Sequence, residues 1–161
     1  MTDYHKLPQP DEVDIREKED AMGAYFMMFA ALAAGLPLPV LNLIAAIIYL
    51  YINKSKRRFI HFHSLQSLIS QIPTSLLNIG LVIWVIRVVF FEFSFNSYFK
   101  GYLAMVIAAN LIYIIFSIIA AVKARRGEFY YFVFFGRIAY HYAYRIKQTI
   151  EVKPVNQPPK M

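Results

Sequence analysis

The sequence predicts an all-α integral membrane protein, and three observations carry that expectation. Three apolar stretches, residues 21–52, 68–91 and 98–122, each exceed the roughly 20 residues a helix needs to cross a hydrocarbon core of about 30 Å. Hydrophobic residues make up 58% of the chain and charged residues only 17%, where a soluble domain carries about 25%. The cations gather beside the apolar stretches: Lys54, Lys56, Arg57 and Arg58 follow the first, and Lys123, Arg125 and Arg126 follow the third. Cations placed there set orientation and attract anionic headgroups. The net charge of +7 therefore points to lipid, and nucleic acid is not an expected partner. With no cysteine in the chain, disulfides and thiol catalysis are excluded.

Residues 1–20 are polar and acidic. Asp3, Asp11, Glu12, Asp14, Glu17, Glu19 and Asp20 outnumber Lys6, Arg16 and Lys18, and Pro8 and Pro10 stand close together. A flexible tail is expected, with a helical turn from Val13 onward. A signal peptide begins with cations, so the first apolar stretch is expected to stay as an anchor.

Residues 21–52 would reach about 48 Å as one straight helix. Gly35, Pro37 and Pro39 lie near the middle, and proline removes a backbone donor and clashes with the preceding turn. The favoured expectation is a single span kinked there, which puts the N-terminus opposite the basic clusters. The alternative is a re-entrant pair of half-helices, which keeps it on their side.

The second span is expected at about 68–91, preceded by an interfacial segment holding Phe59, His61, Phe62 and His63. Pro73 kinks it and frees the carbonyl of Ile69. His63, Ser67, Ser70, Thr74 and Asn78 follow one another at steps of four, three, four and four, so they share one helical face. Polar side chains in a span seek partners on neighbouring helices, with Asn42 and Asn110 as candidates, or they line a wetted path. A short connection makes the second and third spans an antiparallel hairpin. Gly127 ends the third.

Residues 129–147 are dense in aromatic rings, and Arg137, His141 and Arg145 recur every fourth residue. This pattern predicts an amphipathic helix in the interface, its cations on lipid phosphate with Lys54, Lys56, Arg57 and Arg58. The tail 148–161 is expected to be disordered. The membrane domain thus covers 21–147.

No catalytic, cofactor or metal constellation is legible. His61 and His63 are two apart and fall on different sides of a helix, and no His-Glu-x-x-His pattern occurs. The spans hold no Asp or Glu, which weighs against an intramembrane protease or a proton-coupled carrier. The expected protein is not an enzyme.

Residues 57–69, R-R-F-I-H-F-H-S-L-Q-S-L-I, resemble the signature of the Tic-twenty-like family, which includes a chloroplast inner-envelope import component and small bacterial membrane proteins. Residues 121–132, A-V-K-A-R-R-G-E-F-Y-Y-F, look like that family's ending after the last span, and the broken Gly-Leu-Pro-Leu-Pro stretch also fits. By this resemblance His63 and Gln66 match signature positions, with Phe59, Phe62 and Gly127 beside them. It implies a non-enzymatic import-like component that associates with other membrane proteins, client segments or itself. The alternative function is a small channel or carrier using the polar face of the second span. The implied location is a bacterial inner membrane, crossed several times, with basic loops and C-terminus cytoplasmic and the N-terminus outside.

Overall fold

The computed structural model describes residues 4–30, 39–53, 57–91 and 95–146. Among them are five α-helices: α1 Ile15–Phe26, α2 Pro39–Ile52, α3 Arg58–Phe90, α4 Ser97–Arg125 and α5 Phe135–Tyr144. A 3-10 turn, Met27–Phe29, continues α1. No strand occurs among these residues; Tyr4 and Arg145 form an isolated antiparallel bridge. Gly35, Pro37, Lys54, Lys56 and the tail 148–161 lie outside the described residues.

Among the described residues two helices, α3 and α4, are long and apolar enough to cross a membrane, not three. Their most apolar 18-residue windows are only 6% and 22% buried within the protein. A core helix of a soluble protein would be mostly buried, and these two are not. Asn96 caps α4, accepting a 2.9 Å hydrogen bond from the Phe99 amide. Beyond its other end, Gly127 takes a φ of 79°. Its amide bonds the Ala124 carbonyl while the Glu128 amide bonds that of Lys123, a left-handed stop suited to glycine.

The first apolar stretch is not one kinked span. α1 begins at Ile15, inside the expected tail, with Asp14 as its cap. α2 has 14 residues, about 21 Å, too short to cross. The two run antiparallel, because the Tyr49 hydroxyl of α2 donates to the Asp20 carbonyl of α1 at 2.6 Å. Gly23 permits that approach: a Cβ there would stand 2.6 Å from the Tyr49 oxygen. Two ion pairs mark the direction of α1. Glu17 pairs with Arg57 at 2.8 Å and Glu19 with Arg125 at 3.0 Å. The acidic segment therefore lies at the basic end of the molecule, not at the opposite end expected for a single crossing.

The expected interfacial segment is also revised. α3 is helical from Arg58, and Phe59, Ile60, Phe62 and His63 are buried in protein. Phe129 packs on Phe59 and Phe62 at centroid distances of 5.1 and 5.0 Å. α5 is shorter than expected and packs along α3 through Gly136, Ala139 and Ala143.

Candidate functional site

The first turns of α3 form the centre of a bundle. α1 runs parallel to them, and α2, α4 and α5 pack around. The small residues Ala120, Ala121 and Ala124 of α4 meet Ala21 and Tyr25 of α1 there. Small side chains let the backbones approach and bring polar groups within reach of one another.

A buried polar seam results. Gln66 Nε2 donates to the Tyr25 hydroxyl at 2.9 Å and to the Tyr130 carbonyl at 2.8 Å. Gln66 Oε1 accepts from the Phe132 amide at 3.3 Å. One side chain thus satisfies two backbone groups of the aromatic segment 129–134. The Tyr25 hydroxyl also shares a hydrogen bond with His63 Nδ1 at 2.9 Å, while His63 Nε2 is buried and makes no hydrogen bond. Ser67 donates to the Ala24 carbonyl at 2.8 Å, which fixes α1 beside α3. Burial pushes the Tyr25 phenol above its ordinary pKa, against the lowering effect of the Gln66 donor. Burial likewise raises Tyr49, to about 12.

Deeper along α3, Tyr113 of α4 faces Ser67, Ser70, Gln71 and Ser117. Its hydroxyl, the Gln71 amide and Ser117 make no hydrogen bond of ordinary geometry. Such buried polar atoms are commonly met by ordered water. Ser70 and Thr74 donate to the Ser67 and Gln71 carbonyls, each at 3.0 Å. Asn78 and Asn110 form a reciprocal pair across the hairpin at 3.0 and 3.1 Å. Every member of the polar row is thereby engaged along its helix or across to a neighbour.

The basic residues are placed differently from one another. Arg57 is paired with Glu17, and Arg58 is exposed. Arg137 is exposed on α5. His141 instead bonds the Tyr4 hydroxyl at 3.0 Å and Arg145 at 3.2 Å, so the N-terminal segment covers part of the expected lipid-facing row. Lys123 bonds Glu128 and holds its carboxyl below the usual range. Among the described residues, no three His, Cys, Asp or Glu side chains stand together as candidate metal ligands.

Tyr25 was not singled out from sequence, and Tyr130 and Phe132 were read only as part of an aromatic segment, not as partners of Gln66. Their partners lie about forty or more positions away, and no spacing rule connects them. Tyr113 and Ser117 carried a usable signal: with Asn110 they follow steps of three and four, the same face logic that marked α3.

The family model described as the magnetosome magnetite crystal formation protein family matches residues 19–139. The chain belongs to that family. The matched segment of this magnetosome-family chain contains α2, α3, α4 and the whole of the polar seam. The match overturns the Tic-twenty-like resemblance and, with it, the import and protein-transport reading. The short run of basic, aromatic and histidine residues before an apolar helix was too generic to separate the two families. The channel alternative gains no support either, since its polar row is occupied in hydrogen bonds. No curated protein and no solved structure matches the chain.

Proposed function

We propose that this chain is a non-enzymatic membrane component of magnetite crystal formation, seated in the magnetosome membrane. The observation that carries the reading is the family match over most of the chain. The outward apolar faces of α3 and α4 support membrane insertion as a helical hairpin. The exposed cations Arg58 and Arg126 at the basic end of the bundle suit anionic headgroups. In this reading the hairpin anchors the chain and the seam holds the bundle in one arrangement. The protein then acts through its membrane seat rather than by turning over a substrate.

Deletion from a magnetite-forming bacterium tests this. Crystals should become smaller or fewer by electron microscopy and recover when the chain is restored. The restored protein should co-purify with magnetosomes and resist alkaline carbonate. Crystals of unchanged size and number in the deletion strain would overturn the reading.

A further inference from the structure

The helices are unevenly distributed along the hairpin axis. α3 has 33 residues and α4 has 29, about 50 and 44 Å. α1, α2 and α5 accompany only the half nearest the cations. Glu17 of α1 is level with Arg57, Tyr25 with His63, and Ala24 with Ser67. α2 ends at the same end, since Tyr49 in its last turns meets Asp20, and is too short to cross. α5 begins beside Gln66, where Gly136 packs, and returns to Tyr144 near Phe62. The buried residues of α3 stop at Ser75. Beyond them, Asn78–Asn110 and Trp84–Phe99 join α3 to α4 alone.

α2 and one side of α5 turn apolar side chains outward, while the first turns of α1 carry charge and Arg137 is exposed on α5. Ile44, Ile47 and Ile48 are exposed on α2, and Phe134, Ile138 and Tyr142 are exposed at steps of four on α5. Phe134 is held outward at a cost. Its φ of 63° and ψ of −56°, with the Phe135 amide bonded to the Val133 carbonyl at 2.9 Å, make a strained γ-turn. The ring is 75% exposed. These surfaces adjoin the outward apolar faces of α3 and α4, and the exposed arginines mark the headgroup side. The fitting occupant is therefore the acyl region of the leaflet at the basic end.

We infer that the molecule is a one-sided membrane wedge, with α2, α5 and the last turns of α1 widening the α3–α4 hairpin in the leaflet at its basic end, that favours membranes curved convex toward that end. This rests on the membrane reading above. Extra cross-section in one leaflet is relieved when that leaflet is the outer one of a small vesicle, and one-sided insertion is curvature-sensitive for this reason.

The test uses the full chain carrying a single fluorophore at Glu128→Cys. It is reconstituted into phosphatidylcholine–phosphatidylglycerol vesicles of about 30 and about 400 nm, and protein per lipid is read vesicle by vesicle. Density on the small vesicles should be about threefold higher, with the label outward. The triple change Ile44→Gln, Ile47→Gln, Ile48→Gln alters exposed side chains and should bring the ratio toward one without loss of carbonate resistance. Carbonate-resistant protein with equal density on both sizes overturns the wedge alone. Protein stripped by carbonate overturns the membrane reading and the wedge together.

Discussion

Asn78 and Asn110 show what a single polar side chain does in an apolar hairpin. Each gives one amide hydrogen to the other and one to a carbonyl of its own helix, that of Thr74 or Val106. Asn78→Leu leaves Asn110 without its partner and should cost about 1 kcal/mol, within the range for hydrogen bonds between membrane helices. Adding Asn110→Leu should recover most of that loss, because both groups then leave together. Unfolding of the four proteins in mixed micelles reads the cycle; simply additive losses would contradict the pairing. The face carrying Asn78 was legible from spacing. That Asn110 meets Asn78 was not, because it depends on the register of the hairpin.

At the scale of elements, Gln66 joins three of them. It ties α3 to Tyr25 of α1 and to the backbone of the segment that leads into α5. Gln66→Leu strands the Tyr130 carbonyl and the Phe132 amide in a buried place, where each unmet group costs about 1–3 kcal/mol. A loss of about 3 kcal/mol is expected, with faster proteolysis between residues 128 and 134 than elsewhere in the chain. Equal protection of that segment in the variant would show that ring packing alone holds it. The aromatic richness of 129–134 was plain in the sequence and suggested an interfacial helix. A helix over those positions would have satisfied the backbone locally. Gln66 satisfies part of it from another element instead, and the segment stays extended against α3.

For the whole molecule, the ion pairs Glu17–Arg57 and Glu19–Arg125 gather the N-terminal segment, both basic clusters and the end of α5 at one pole. The cysteine-free chain suits single-cysteine labelling. Asp11→Cys and Glu128→Cys should react from the same side of a sealed membrane, and Phe95→Cys from the other. Reaction of positions 11 and 95 from one side would restore a single crossing before α3.

The all-helical class, the apolar bodies of α3 and α4, the hairpin between them and the polar face of α3 were written in the sequence, but the start of α3 and the number of spans were not. Those that were depend on run length or spacing within one segment, which the chain carries locally. The first apolar stretch was undecidable from its own residues, because proline permits both a kink and a return. Its fate was decided by contacts with distant partners: carboxylates on arginines of α3 and α4, Tyr49 on the Asp20 carbonyl, and small alanines that let α1 meet α4. Those partners exist only once the helices are assembled. The tertiary structure alone therefore made the chain wide at one pole and narrow at the other.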